Sequence, residues 1–191
     1  MTFATKLTVL RLCLVPVFAF LAISYGLGTA SGAPDETLRW ATFWVFVTAA
    51  ATDGIDGWIA RRFNQKSELG AFLDPIADKA LVLSALLILT FFDWGEEGWR
   101  IPIWFAALVV LRDSVILAGI RVMWSAKKKV EFRPHWTGKA CTFFLFVVLG
   151  WVMLRVTELS PVYPCAFAAV FILLSMVQYI RQGIRIMRGQ A

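Results

Sequence analysis

The chain has 191 residues, of which 59% are hydrophobic, 15% aromatic and only 17% charged. Soluble domains average roughly 45–50% apolar and about 25% charged residues, so this composition excludes disorder, collagen and coiled coil, and a soluble core of this size could not hide it. A formal charge of +6 in so apolar a chain points to basic cytosolic loops and away from nucleic-acid binding. Cys13, Cys141 and Cys165 are odd in number, unpatterned and set in apolar runs, which fits neither a disulfide framework nor a zinc site. The expectation is an integral membrane protein.

A hydrocarbon core about 30 Å thick takes roughly 20 apolar residues of helix to cross. Stretches 7–27, 38–61, 70–92, 101–124, 138–158 and 163–184 meet that length. An all-α protein with six transmembrane helices is therefore expected, as a single domain over residues 1–191. The first stretch superficially resembles a secretory signal, with Lys6 and Arg11 ahead of or within the apolar run and Thr29 to Ala33 after it. Its length, and the position of Arg11 inside it, favour retention.

Basic residues orient the spans. Arg61, Arg62 and Lys66 flank the second-to-third loop; Lys127, Lys128, Lys129 and Arg133 fill the fourth-to-fifth; Arg181, Arg185 and Arg188 lie at the tail. The alternate loops carry Asp35, Glu36, Asp93, Glu96 and Glu97, opposed by Arg39 and Arg100. An even number of spans then places both termini in the cytosol. Trp94, Trp99 and Trp104 fit an interfacial aromatic belt, and the lone His135 a solvated or headgroup contact.

Four carboxylates interrupt the apolar pattern. Asp53 and Asp56 fall in the second span, Asp74 and Asp78 in the third. A charge inside a membrane helix costs at least about 2.5–3.5 kcal/mol on insertion scales, so four of them need a reason. Steps of three and four put Asp53, Asp56, Gly57 and Ala60 on one face, and Asp74 and Asp78 on one face of the next helix. The two helices run antiparallel across a short loop. Asp53 and Asp78 then lie roughly 12 Å below the cytosolic helix ends, with Asp56 and Asp74 at a shallower level. Four converging carboxylates repel unless neutralised, and hard divalent cations such as Mg²⁺ or Mn²⁺, two of them, suit oxygen donors. Gly57 and Ala60 leave space for a ligand, and Arg61 presents a fork that matches phosphate oxygens. The set reads as a pyrophosphate site at a membrane surface. A helix-packing role for an isolated Asp, and an acidic cluster in a divalent-cation transporter, are the competing readings of the same spacing.

The run Asp53-Gly-Ile-Asp56-Gly57-Trp-Ile-Ala60-Arg61, eight residues, Gly70, three residues, Asp74, three residues, Asp78 resembles the signature of the CDP-alcohol phosphatidyltransferase family at every defining position. Residues 60–65 and 70–79 are similar to those of its bacterial phosphatidylglycerophosphate synthases, and Arg133 to Lys139 resembles the cardiolipin synthase branch. The resemblance implies transfer of a phosphatidyl group from CDP-diacylglycerol to an alcohol, with release of CMP. It assigns Asp53, Asp56 and Asp74 to metal, and Asp78 to the second metal and to proton removal from the attacking hydroxyl. Gly57, Ala60, Arg61 and Gly70 would line the donor site. Thr8 joins them because Lys6-Leu-Thr8-Val-Leu-Arg11 resembles the family's entry to the first span, although Ala4-Thr5 stands where the family has Pro-Asn.

The acceptor needs cations if it is anionic. Arg112, Lys139 and Arg181 are the candidates; Arg112 could instead pair with Asp113, Lys139 could snorkel to the interface, and Arg181 could act as an orientation charge. Glycerol 3-phosphate is the favoured acceptor, with phosphatidylglycerol, and hence cardiolipin synthesis, as the alternative. The resemblance also implies a homodimer among membrane lipids, in the bacterial inner membrane with its active site facing the cytosol.

Overall fold

The computed structural model describes the backbone of residues 3–63, 68–125, 136–155 and 158–187, and the side chains of 9–52, 76–77, 79–119, 121, 138, 140–155 and 158–185. All regular structure among the described residues is helical: α1 (Phe3–Ala30), α2 (Glu36–Phe63), α3 (Glu68–Phe91), α4 (Ile103–Ser125), α5 (Trp136–Leu154) and α6 (Val162–Met187). Each overlaps one of the six apolar stretches. In α1 and α6 the segments Val9–Ala30 and Val162–Arg185 are long and apolar enough to cross a membrane.

Turn chemistry sets several of the boundaries. The carboxylate of Asp35 accepts from the Thr37 amide at 2.8 Å, capping an orphan donor at the start of α2. Before α6 the Ser160 hydroxyl accepts from the Val162 amide at 3.4 Å. Between α3 and α4 the chain turns through Gly95 and Gly98, at φ 83° and 80°, a region in which a Cβ is unfavourable. At Gly95 a Cβ would also lie 2.5 Å from Arg155 Nη1 and 2.8 Å from Tyr25 Oη.

The first of two compact units comprises residues 1–100 with 152–156, and in it α1, α2 and α3 pack against one another. Their buried side chains form three rows at steps of three, four and seven: Phe18, Ala22 and Tyr25 on α1; Thr42, Phe46 and Ala49 on α2; Leu81, Ala85 and Leu89 on α3. The outward side is apolar as well, with Phe20, Leu27, Trp44, Leu83 and Phe91 exposed. Hydroxyls in these helices satisfy themselves: Thr42, Thr52 and Thr90 donate to the carbonyls of Leu38, Thr48 and Leu86 at 2.6–2.7 Å. Such back-bonding removes the cost of a buried hydroxyl without a partner on another helix.

At the end of this unit where α1 and α3 finish and α2 begins, three side chains hold the last carbonyls of α5. Trp99 Nε1 donates to Val152 O at 3.1 Å, Trp94 Nε1 to Met153 O at 3.1 Å and Arg39 Nη1 to Leu154 O at 3.0 Å. Four carbonyls at a helix C-terminus lack intrahelical donors, and here three are supplied from distant sequence. The helix stops at once, with Arg155 at φ 51° and its guanidinium paired with Glu96. The fifth helix thus ends four residues before the 158 expected from hydropathy. The belt reading of the tryptophans is also corrected: Trp94 and Trp99 are 0% and 8% exposed, because their indole N–H groups cap α5. Trp104, 47% exposed, stays compatible with an interfacial place.

The second unit comprises residues 101–151 with 157–191. In it α4 packs on α6. The Phe144 ring of α5 lies 5.2 and 4.3 Å from the rings of Phe167 and Phe171 on α6, at spacings that give aromatic pairs extra attraction beyond burial.

Candidate functional site

The three buried rows of the first unit change character toward the end where α2 finishes and α3 begins. Stepping along α2 from Thr42, Phe46 and Ala49 by the same intervals reaches positions 53 and 56. Stepping back along α3 from Ala85 and Leu81 reaches 78 and 74. Stepping back along α1 from Tyr25 and Phe18 reaches Arg11, which is fully buried. An apolar core therefore gives way, on all three helices, to positions occupied by charged residues.

Heights follow from the helix bounds. Asp53 precedes Phe63, the last residue of α2, by ten residues, and Asp78 follows Glu68, the first of α3, by ten. Both lie about 15 Å from those helix ends at 1.5 Å per residue. Asp56 and Asp74 are seven and six residues from the same ends, near 10 Å. The helix bounds thus put the four carboxylate-bearing positions at two levels, the deeper about 15 Å from the helix ends where roughly 12 Å was expected, because α2 and α3 extend two residues beyond the apolar stretches. Gly57, Ala60 and Arg61 occupy the following turns of α2, Gly70 the first turn of α3, and Thr8 the second turn of α1. The side chains of Thr8, Asp53, Asp56, Ala60, Arg61, Asp74 and Asp78 lie outside the described residues, as does any contact of Gly57 and Gly70. Among the described residues no group of three or more His, Cys, Asp or Glu is placed to hold a metal ion.

The three acceptor candidates belong to the second unit. Arg112, on α4, is 14% exposed in its side chain and donates from Nη1 to Asp113 Oδ1 at 2.9 Å. The ion-pair alternative is thus formed. It leaves Arg112 Nε buried with no hydrogen-bond partner among the described residues. Lys139 is in the first turn of α5, with its side chain outside the described residues. Arg181, on α6, is exposed. Lys127 to Lys129, Arg133 and His135 lie outside the described residues. Arg11 entered the sequence analysis as a charge within a possible leader and as the end of the Lys6-Leu-Thr8-Val-Leu-Arg11 run; its seven-residue spacing to Phe18 was the available sign that it shares the core row.

Residues 1–180 match the family model described as CDP-alcohol phosphatidyltransferase. The chain is 35% identical over 190 residues to a protein of Mycobacterium tuberculosis (strain ATCC 25618 / H37Rv) named "Probable phosphatidylglycerophosphate synthase", covering 97% of this chain and 83% of the relative. It is 34% identical over 180 residues to the CDP-diacylglycerol–glycerol-3-phosphate 3-phosphatidyltransferase of Escherichia coli (strain K12), covering 92% and 91%. A Shigella sonnei (strain Ss046) protein of that same name matches equally.

Proposed function

The chain belongs to the CDP-alcohol phosphatidyltransferase family, and from that membership we propose that it transfers the phosphatidyl group of CDP-diacylglycerol to glycerol 3-phosphate, giving phosphatidylglycerophosphate and CMP. What supports this reading is the register of Asp53 and Asp56 on α2 and of Asp74 and Asp78 on α3, two helices in contact with each other. The relatives named for glycerol 3-phosphate, at 34–35% identity over most of their length, favour that acceptor over phosphatidylglycerol.

The four carboxylates are hard oxygen donors, and as a set they fit Mg²⁺ or Mn²⁺. Asp53, Asp56 and Asp74 would hold metal, and Asp78 would approach the second ion. Two such ions, when bound, supply charge neutralisation to the pyrophosphate oxygens and to the departing nucleotide. Gly57, Ala60, Gly70 and Thr8 line the donor, with the Arg61 guanidinium on its phosphate oxygens. Asp78 accepts the proton of the acceptor hydroxyl, since a hydroxyl attacks poorly until a positioned base removes it. The new bond joins that hydroxyl oxygen to the phosphorus of the phosphatidyl group. The bond from this phosphorus to the oxygen bridging it to CMP breaks, and CMP leaves with the bonding electrons. The six apolar stretches and the basic loops between them are the grounds for a single catalytic domain that crosses the bacterial inner membrane six times with both termini and the active site on the cytosolic side, and the family resemblance is the ground for a homodimer among membrane lipids.

Lys139, with Arg112 and Arg181, would hold the acceptor's phosphate. Lys139→Ala is expected to raise the KM for glycerol 3-phosphate roughly tenfold to a hundredfold, since a lost charge-assisted contact is worth about 1.5–3 kcal/mol. The KM for CDP-diacylglycerol should change little. Steady-state CMP release at varied acceptor and varied donor measures both; an equal rise in the two constants would remove Lys139 from the acceptor site.

A further inference from the structure

Arg11 has no exposed surface, yet a guanidinium keeps its charge in any protein environment. Such a cation persists in a core only beside an anion. The acidic residues of α1, α2 and α3 divide by height. There are none in α1. Glu36 opens α2 at the opposite end of the unit, where it pairs with Arg39 at 2.5 Å. Glu68 opens α3, ten residues away from Asp78. The remaining acids are Asp53, Asp56, Asp74 and Asp78.

Register selects among them. The rings of Phe18 and Phe46 meet at 5.6 Å between the antiparallel helices α1 and α2. Seven residues back from Phe18 is Arg11, and seven residues on from Phe46 is Asp53. Helices α1 and α3 run parallel, and Gly26 approaches Phe92 so closely that a Cβ there would be 2.6 Å from Phe92 Cβ. Fifteen residues back from each are Arg11 and Ala77, beside Asp78. Two independent contacts thus bring Arg11 to the level of the deeper carboxylate pair.

We propose that Arg11 is the standing counter-charge of the carboxylate cluster, paired with Asp53, and that it acts as a positioning residue holding that carboxylate before cations and donor arrive. Its complete burial separates this role from direct contact with the donor. The catalytic meaning rests on the phosphatidyltransferase reading; the pairing itself does not.

Thermal unfolding of the purified full chain in detergent and chelator tests the pairing without any turnover. Removing one member of a buried pair strands the other, so Arg11→Gln and Asp53→Asn should each lower Tm by about ten degrees, and the double variant by far less than the two losses added. Additive losses, or an unchanged Tm in Arg11→Gln, overturn the pairing. Should either neutral variant fail to fold, Arg11→Lys decides: it keeps the charge but not the planar fork. Its expected signature is a kcat lowered about tenfold with the KM for CDP-diacylglycerol held within about twofold. A raised donor KM at unchanged kcat overturns the positioning role and makes Arg11 a donor contact. Loss of the donor reaction in wild-type protein, with the thermal coupling intact, would count against the function alone.

Discussion

Asp78→Asn is expected to lower turnover by roughly 10²–10⁴-fold, the range general-base catalysis contributes, while CDP-diacylglycerol still binds. Asn keeps the size of the side chain and a carbonyl oxygen that can face a cation, but it cannot accept the proton of the attacking hydroxyl. On the proposed assignment, Asp53, Asp56 and Asp74 keep most of the metal site. Single-turnover CMP release paired with a donor-binding titration separates the two quantities. A variant that turns over within about threefold of wild type would move the base elsewhere, because no uniform-binding effect hides a lost proton acceptor. Loss of donor binding together with turnover would instead make Asp78 chiefly a metal ligand.

Removing divalent cations should have a comparably large effect. In the proposed site, Asp53, Asp56, Asp74 and Asp78 together with a pyrophosphate would carry too much negative charge to work unneutralised. Exhaustive chelation is expected to abolish CMP release, and Mg²⁺ or Mn²⁺ to restore it, while Ca²⁺, larger and with looser geometry, should restore it poorly. Full activity in chelator would rule out the metal reading even if the transferase reaction survived. Arg11 bears on the same experiment: with one fixed cation already at this depth, the metal-free protein should stay folded, so that loss and recovery of activity report the site and not the fold.

The course of the chain was largely legible in its sequence. Six apolar runs became six helices, because hydropathy and the turn residues Asp35, Gly95, Gly98 and Ser160 act locally. The motif was equally legible, since spacings of three and four within α2 and α3 dictate which carboxylates share a face. What escaped depends on contacts between distant residues. The stop of α5 at Leu154 is made by Trp94, Trp99 and Arg39, whose donors reach its last carbonyls from 53 to 115 residues away. A tryptophan in a loop between apolar helices looks interfacial until its N–H partner is known. Arg112 and Asp113 are neighbours in sequence, and both a structural pair and an acceptor contact were open; the geometry forms the pair at 2.9 Å. Arg11 shows the same limit in reverse. Its charge argued only about a leader, and its place in the core row became visible once Phe18 met Phe46.

The reaction itself is measured as CMP release from CDP-diacylglycerol by the purified protein, with glycerol 3-phosphate and phosphatidylglycerol compared as acceptors in the same detergent with Mg²⁺ or Mn²⁺. The expected result is CMP release that needs glycerol 3-phosphate and yields phosphatidylglycerophosphate. Turnover with phosphatidylglycerol alone would contradict the acceptor and establish cardiolipin synthesis on the same site. No CMP release with any alcohol, from protein that moves divalent cations across vesicles, would contradict the phosphatidyl-transfer reading itself.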